Sequence, residues 1–299
     1  MCYFVYPFPF LRGQGTQKYS NKRVCNDQEG DPDMCKIQAA IFDVDGTLFD
    51  YHDMKIHDST VEAIHRLKAQ GTIIIVASGR SYPLLGVECL SKIPADYYIT
   101  ANGHSVQDSE GRELFAYRFT LEQTERVVEL TKKYGNGLLL KYGDYSYLYS
   151  RPDEMFQVFN NIGLSSDVFK ACEAMDHHYE ELPIGFTIRG GDEIKKELSA
   201  RNHDYRVELF HDVTECDVFS PKMNKMTALR NLTDILNLHP QQCVAFGDSR
   251  NDMEMIQWAG VGVAMGNACQ DLKNVADTVC GCSWEDGIAK KIDALLKIS

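Results

Sequence analysis

Apolar segments of two kinds alternate along the chain from residue 37 onward. Runs of β-branched residues, such as Thr72–Ala77, indicate strands buried on both faces, whereas apolar residues spaced three or four apart indicate helices. The pattern predicts strands over 37–43, 72–77 and 97–100, helices near 59–70 and 82–91, and a hairpin over 104–118 around 109–111. The pair Ser59 and Glu62 predicts a capping box at the start of the first of these helices.

The C-terminal part of the chain repeats this alternation. It predicts helices near 224–236, 250–258 and 284–297, and strands over 242–246 and 261–264. Strands that alternate with helices favour a parallel sheet covered on both faces. We therefore expect an α/β protein with a Rossmann-like parallel sheet core.

The middle of the chain has a different pattern. A capping box of Thr120 and Gln123 begins a predicted helix, and two strands flank a tight turn at Gly143 and Asp144. Tight hairpins favour antiparallel pairing, so this part is typical of an α+β module. We predict an α/β core over 37–118 and 218–299, an inserted α+β domain over 119–217, and a flexible N-terminal extension over 1–36.

Composition and charge narrow the class of partner. The 299 residues carry a net charge of −12, which argues against a nucleic-acid backbone as ligand. No apolar run approaches the roughly 20 residues that cross a bilayer, so no membrane partner is expected. The ten cysteines are scattered, as in proteins with reduced thiols, and Cys280 with Cys282 lacks the context of a zinc site. We expect a cytoplasmic protein whose ligand is a small molecule; the oligomeric state stays open.

Two aspartates, Asp43 and Asp45, stand at the end of the first predicted strand and precede Gly46. Two carboxylates this close, with no basic neighbour in the sequence, repel and raise each other's proton affinity. A bound Mg²⁺ would relieve the repulsion, because hard dications prefer oxygen ligands. An Asx-type turn at the strand end is the alternative interpretation.

Further polar motifs follow other predicted strands or begin helices. They are Ser78-Gly79-Arg80 after 72–77, Lys225 at the start of a helix, and Asp248, Asn251 and Asp252 after 242–246. Ligands of an open parallel sheet bind at the carboxyl ends of its strands, so we expect these side chains to converge. Each has a simpler alternative: Ser78 as a helix cap, Lys225 as a solvated charge, and Asp252 as a favourable charge in the first turn of its helix.

The motifs occur in the order Asp-x-Asp-Gly-Thr, Ser-Gly-Arg, Lys, Gly-Asp-x-x-Asn-Asp. Over residues 37–299 this order resembles the haloacid dehalogenase-like superfamily of phosphohydrolases. The long interval between Ser78 and Lys225 has room for a large inserted α+β cap domain. This cap and the pair Asn102-Gly103 resemble features of the Cof-type, sugar-phosphatase-like branch. Met226 departs from that pattern, since the family usually has glycine after the lysine.

The resemblance implies a role for each motif residue. Asp43 would be the nucleophile that forms an aspartyl-phosphate, Asp45 the general acid and base, and Lys225 the group that neutralises charge. The metal ligands would be the side chains of Asp43 and Asp248 and the main-chain carbonyl of Asp45, with Asp252 behind them. Ser78, Gly79 and Asn251 would bind phosphate, and Arg80 and Asn102 are candidates to touch the substrate.

We therefore predict an Mg²⁺-dependent phosphatase that acts on small phosphorylated metabolites, with sugar phosphates favoured. A phosphotransferase or mutase on the same scaffold is the first alternative, because a sugar hydroxyl can capture an aspartyl-phosphate. A sensor of phosphorylated ligands is the non-enzymatic alternative. It is disfavoured, because Asp43, Asp45, Lys225 and Asp248 are all present. A carbon–halogen hydrolase would leave Asp45 and the acidic pair at 248 and 252 unexplained.

Overall fold

A computed structural model describes residues 37–160, 164–209 and 214–297. The extension predicted over 1–36 lies outside the described residues. Within the described part, no helix is both long enough and apolar enough to cross a bilayer.

The strands and helices alternate as the apolar pattern predicts. The strands are β1 (Ala39–Phe42), β2 (Phe49–Asp50), β3 (Lys55–Ile56), β4 (Ile73–Ala77), β5 (Tyr97–Thr100), β6 (Ser105–Asp108), β7 (Glu113–Ala116), β8 (Gly137–Lys141), β9 (Ser146–Ser150), β10 (Phe169–Ala171), β11 (Gly185–Arg189), β12 (Arg206–Leu209), β13 (Glu215–Phe219), β14 (Cys243–Gly247), β15 (Val261–Ala264) and β16 (Thr278–Val279). The helices are α1 (Asp58–Ala69), α2 (Gly86–Lys92), α3 (Leu121–Tyr134), α4 (Pro152–Asn160), α5 (Asp192–Ser199), α6 (Lys225–Ile235), α7 (Met253–Trp258), α8 (Gln270–Val275) and α9 (Gly287–Leu296).

The larger sheet has the strand order β16-β15-β14-β1-β4-β5-β6-β7. Strands β16 to β5 in that order pair in parallel, and β6 and β7 add an antiparallel edge. The four residues of β1 are fully buried at the centre, which explains their uninterrupted apolar run. Because β1 lies between β14 and β4, the residues that follow these three strands meet at one edge. The predicted fold class is confirmed.

The second sheet has the order β10-β9-β8-β11-β13-β12 and is antiparallel except at β10 and β9. One face carries Leu138, Leu140, Phe186, Ile188 and Val218, and packs with residues of α3 and α5 in one apolar core. The chain leaves the larger sheet after β7 and returns to it only at β14. We propose that this sheet with α3, α4 and α5 is the cap; the predicted boundary at 217/218 falls inside β13.

Both connections between the two sheets are held by His104. Its main-chain carbonyl accepts a hydrogen bond from the amide of Tyr117 (2.7 Å) on the outgoing connection, and its Nε2 accepts one from the amide of Ser220 (3.0 Å) on the return. The ring stacks on Phe219, and Nδ1 donates to the carbonyl of Ala101 (2.7 Å). Burial lowers the pKa of His104 to about 4, so the ring is neutral and keeps one donor and one acceptor nitrogen.

Several local predictions need correction. Ser59 does not cap α1, which begins at Asp58 after His57; its hydroxyl donates to Asp286 instead (2.5 Å). The predicted helix near 82–91 is a 3₁₀ turn over Tyr82–Leu85 followed by α2. Short elements without a long apolar pattern, namely β2, β3, β10, β16 and α8, are absent from the sequence-based prediction. The capping box of Thr120 and Gln123 is confirmed.

Candidate active site

Three charged side chains meet in the protein interior at the end of β1. The ammonium of Lys225 lies 2.6 Å from Oδ1 of Asp43 and 2.8 Å from Oδ1 of Asp252, and all three residues are buried. Lys225 is the first residue of α6, whose start is capped by the side chain of Asn224. Lys225 is therefore a buried partner of two carboxylates, and its interpretation as a solvated surface charge is wrong.

The close approach of α6 to the larger sheet depends on Gly103. This residue has φ +90°, and a Cβ at its position would lie 2.0 Å from the carbonyl oxygen of Asn224. Met226, where the family pattern has glycine, is buried in the core of the larger sheet. The close backbone contact is thus made by Gly103 against Asn224, and Met226 contributes to packing.

Asp45 and Arg80 form an ion pair beside this group. The guanidinium Nη2 of Arg80 lies 2.6 Å from Oδ1 of Asp45, Nε is 3.1 Å from both carboxylate oxygens, and the hydroxyl of Tyr51 donates to Oδ1 as well. Burial favours the neutral form of Asp45, but Arg80 outweighs it and holds the pKa of that carboxyl below its usual value. Arg80 also donates to the carbonyl of Leu84 (3.1 Å).

Asp248 follows β14 and faces Gly46. Gly46 has φ +82°, and a Cβ there would lie 2.3 Å from Oδ2 of Asp248, so only glycine allows this approach. The side chain of Asn267 donates to the carbonyl of Gly46 (2.7 Å) and thereby fixes the turn. Oδ1 of Asp248 is buried without a hydrogen-bond partner among the described residues. A buried carboxylate oxygen in this state is costly unless a further group binds it.

The charges around Asp43 are unbalanced. Burial first, and then the neighbouring Asp252, raise the pKa of Asp43 to about 7, although Lys225 opposes them. Burial and the repulsion from Asp43 raise the pKa of Asp248 to about 9. Burial disfavours the ammonium of Lys225, but Asp252 and Asp43 outweigh it and raise its pKa. The four carboxylates at 43, 45, 248 and 252 exceed the two cations at 80 and 225 by two charges.

A divalent cation would fit this arrangement. Carboxylate oxygens of Asp43, Asp248 and Asp252 all lie within 4.8 Å of one another. Hard cations prefer such oxygens, and a dication balances the two excess charges and engages the free Oδ1 of Asp248. The acidic cluster is thus chemically suited to a metal such as Mg²⁺.

A second group, Asp50, Asp53 and His57, also has its ligand atoms within 4.8 Å. Here the carboxylate of Asp50 already accepts a hydrogen bond from the amide of His52 (2.9 Å) and contacts Nε2 of His57 (2.9 Å). Burial alone would raise the pKa of Asp50. These contacts outweigh burial and hold the pKa below its usual value. This group stabilises the turn between β2 and β3 without the unpartnered oxygen that distinguishes Asp248.

The predicted phosphate-binding residues lie around the same edge. Ser78 is buried after β4, and its Oγ accepts a hydrogen bond from the amide of Arg80 (3.1 Å) instead of capping a helix. Asn102 lies against Gly79, where a Cβ would be 3.3 Å from its Nδ2. Nδ2 of Asn251 donates to Oδ1 of Asn102 (3.1 Å). The site therefore brings together residues from four separate parts of the sequence.

Asp252 serves two functions at once. Its Oδ1 contacts Lys225, and its Oδ2 accepts hydrogen bonds from the amides of Asp248 and Ser249, 3.1 Å each. The second contact belongs to a capping box over the turn that precedes α7. The geometry is thus compatible with both interpretations of Asp252, as a residue of the candidate site and as a charge at the start of a helix.

Sequence reasoning missed three residues at this site: Tyr51 beside Asp45, Asn267 on the Gly46 turn, and Glu208 of β12. Glu208 accepts a hydrogen bond from Nδ2 of Asn102 (2.5 Å) across the two sheets. Asn267 follows β15 at the same edge of the sheet, so its position after a parallel strand could have indicated it. Tyr51 and Glu208 follow no such rule, because they reach the site from a short hairpin and from the other sheet.

A parallel sheet with a buried Asp–Lys–Asp cluster and acidic groups that could hold a cation at its carboxyl edge is the arrangement of a phosphohydrolase-like protein. The model of the haloacid dehalogenase-like hydrolase family matches residues 40–292, and the chain belongs to this family.

Named relatives and a solved structure agree with this membership. An HMP-PP phosphatase of Yersinia pestis is 31% identical over 243 residues, 78% of this chain and 85% of that protein. A 5-amino-6-(5-phospho-D-ribitylamino)uracil phosphatase of Bacillus subtilis is 26% identical over 258 residues, 83% of this chain and 93% of that protein. A subclass IIB sugar phosphatase of the superfamily superposes with a TM-score of 0.73 at 24% identity, over 86% of this chain and 98% of that one, and shares the fold. The resemblance to the Cof-type branch is confirmed.

Proposed function

We propose that the chain is an Mg²⁺-dependent phosphatase that hydrolyses small phosphorylated metabolites, sugar phosphates first among them, through an aspartyl-phosphate on Asp43. The observation that carries this proposal is the buried contact of Lys225 with Asp43, next to an Asp248 oxygen that has no hydrogen-bond partner in the described part of the chain. Its family and its phosphatase relatives make the chain a phosphoric monoester hydrolase.

Asp43 is the nucleophile in this proposal. One of its carboxylate oxygens attacks phosphorus, the bond to the leaving oxygen breaks, and the phosphoryl group is transferred to Asp43. Lys225 holds the attacking carboxylate in place and offsets its charge as it approaches a phosphate dianion. Ser78, the amide of Gly79 and the side chain of Asn251 would bind the phosphate oxygens and align the transferred group.

Asp45 transfers the proton in both steps of this proposal. In the first step it donates a proton to the leaving oxygen. In the second it accepts one from the water that attacks phosphorus, while the bond between phosphorus and the Asp43 oxygen breaks and phosphate is released. Arg80 stabilises the ionised form of Asp45, which is the form that the second step needs. The first step needs the protonated form, so the contact between Arg80 and Asp45 has to weaken when a substrate enters.

The side chains of Asp43 and Asp248 and the main-chain carbonyl of Asp45 would hold Mg²⁺, with Asp252 orienting Lys225 behind them. The ion would neutralise the charge that otherwise keeps a carboxylate and a phosphate dianion apart.

Small phosphorylated molecules are favoured as substrates by the named relatives, both of which are phosphatases of such compounds. The described cysteines are all free, which supports a reducing, cytoplasmic location.

Phosphate release from a panel of phosphorylated metabolites, with Mg²⁺ and in ¹⁸O-water, tests the proposal. We expect turnover that stops on chelation, with one labelled oxygen in each released phosphate. Transfer of unlabelled phosphoryl groups to a sugar acceptor would identify a phosphotransferase instead. A silent panel would contradict the enzymatic function.

A further inference from the structure

The face of the second sheet opposite α3 and α5 carries charged and polar side chains. It includes Lys141 of β8, Thr187 of β11, Asp217 of β13, and Arg206 and Glu208 of β12. Lys141, Thr187 and Asp217 are buried, which is costly for charged groups. An apolar face would stabilise the sheet at least as well, so stability does not explain this composition.

Besides the pair of Arg189 with Glu215 at the start of β13, the charges on this face are arranged in two pairs. Nζ of Lys141 lies 2.6 Å from Oδ2 of Asp217, whose Oδ1 accepts a hydrogen bond from Thr187 (2.7 Å). Nε of Arg206 lies 2.7 Å from Oε1 of Glu208. Each cation of the face thus has a carboxylate partner, and the two pairs are neutral as a whole.

This polar face is turned toward the candidate active site. Oε2 of Glu208 accepts from Nδ2 of Asn102, and Nη1 of Arg206 donates to the carbonyl of Met223 (2.8 Å), two residues before Lys225. Asn102 in turn contacts Gly79 and Asn251, both candidates for phosphate binding. A phosphate held there would place its leaving group next to Glu208 and Arg206.

Glu208 is suited to accept hydrogen bonds from such a group. Burial, the larger effect, raises the pKa of its carboxyl although Arg206 opposes it. In the structure Glu208 uses the amide of Asn102 as a donor, which a hydroxyl or amino group of a ligand can replace. Because Arg206 and Lys141 are already paired, a second phosphate would meet carboxylates before it met a free cation.

We propose that Glu208, oriented by Arg206, is the specificity-determining residue for the leaving group. It selects uncharged groups that present hydroxyl or amino donors, and the neutral pairs disfavour substrates with a second phosphate. This inference rests on the proposed phosphatase function and names the substrate class within it.

The test compares kcat/KM of the full chain and of Glu208→Gln with Mg²⁺ on three substrates. They are the best monophosphate of a sugar and polyol panel, p-nitrophenyl phosphate, and a hexose 1,6-bisphosphate. Glu208→Gln replaces a charged acceptor by a neutral one, which weakens the hydrogen bond and predicts a roughly tenfold decrease for the sugar or polyol monophosphate. p-Nitrophenyl phosphate, which has no donor on its leaving group, should change by less than about threefold, and the bisphosphate should improve relative to the monophosphate.

The matched control is Glu215→Gln. Glu215 pairs with Arg189 at 2.7 Å in the same sheet, at the opposite end of β13 from Phe219. The Glu215→Gln variant should leave the ratios among the three kcat/KM values unchanged. An equal decrease on all three substrates for Glu208→Gln, with an unchanged melting temperature, would overturn the inference and leave the phosphatase function standing. A wild-type chain inactive on all three would overturn both.

Discussion

The ammonium of Lys225 lies 2.6 Å from Oδ1 of Asp43, although 182 positions separate the two residues in the sequence. This contact joins the start of α6 to the end of β1 inside the protein, where an unpaired charge is strongly disfavoured. The same ammonium reaches Asp252, so one cation compensates two buried carboxylates. The site is therefore electrostatically dependent on Lys225 even before any ligand binds.

Replacement of Lys225 by methionine should lower the free energy of unfolding by about 3 kcal/mol at pH 7.5 in EDTA. Both Asp43 and Asp252 would then be buried without a cation, and breaking a buried pair from one side is costly. Urea unfolding measures the change. The matched control is Lys222→Met, an exposed residue on the same connection, which should change stability by less than about 0.5 kcal/mol. Equal stability of the Lys225 variant and the wild type would contradict the buried pairing.

Asp248→Asn should have opposite effects on stability and on metal binding. The pKa of Asp248 is raised from its ordinary value of 3.8 to about 9, so in metal-free protein its contribution to stability falls as pH rises through this interval. At pH 8 the carboxyl is ionised in the unfolded chain and mostly protonated in the folded one, so its replacement by an uncharged amide should increase the free energy of unfolding in EDTA by at least about 1 kcal/mol. Added Mg²⁺ should raise the melting temperature of the wild type and not of the variant.

Asp50→Asn is the control for this experiment, because the pKa of Asp50 is lowered by its contacts with His57 and the amide of His52. Its ionised form stabilises the folded state, so the variant should lose stability at pH 8. A loss of stability of similar size in both variants would contradict the proposal that Asp248 is a metal ligand whose charge no protein group compensates.

Gly46→Ala should weaken metal binding, because the added Cβ would lie 2.3 Å from Oδ2 of Asp248 and would displace that carboxylate. Titration with Mg²⁺ followed by melting temperature measures the effect, and we expect an apparent affinity roughly tenfold or more lower. Gly71→Ala is the matched control: Gly71 has a similar φ of +85°, and nothing lies within 4 Å of its added Cβ. Both variants incur the backbone cost of a positive φ, so only the difference between them reports on Asp248.

His104 should give the protein a measurable acid sensitivity. Its pKa is lowered from 6.5 to about 4 by burial, so below pH 6.5 the unfolded chain binds a proton that the folded chain does not. Stability should therefore fall as pH decreases from 6.5 to about 4, by up to about 1.4 kcal/mol per pH unit from this residue.

Urea unfolding between pH 4.5 and 8 tests this expectation with His104→Gln. The variant should be less stable than the wild type at pH 8, because it loses the contacts to Ala101 and Ser220, and the difference should shrink toward pH 4.5. His65→Gln, at an exposed position of α1, should run parallel to the wild type. A difference between His104→Gln and the wild type that stays constant with pH would show that His104 is not buried as a neutral ring.

The sequence predicted those parts of the site that follow from the topology of a parallel sheet. Asp43, Ser78 and Asp248 each come directly after a buried apolar strand, and β4, β1 and β14 are neighbours. Contacts that depend on turns and on the second sheet could not be read in this way. The ion pair of Arg80 with Asp45 depends on the turn at Gly46, and the approach of Glu208 to Asn102 depends on how the two sheets are placed.

The predicted capping box of α1 shows a second limit of prediction from the sequence. Ser59 and Glu62 have the spacing of a capping box, but Ser59 is bonded to Asp286, which lies far away in the sequence. A tertiary partner here replaces a local one, and a local motif does not report it. The box of Thr120 and Gln123 formed as predicted, since its own helix supplies both partners.

The most direct test of the account is to trap the phosphorylated enzyme. Wild-type protein turning over a phosphate ester with Mg²⁺ is quenched in acid, reduced with borohydride and mapped by mass spectrometry, which detects an aspartyl-phosphate as homoserine. We predict homoserine at position 43 only when substrate is present, and no turnover by a folded Asp43→Asn variant. Turnover with Asp43 unmodified, together with activity in Asp43→Asn, would contradict the account.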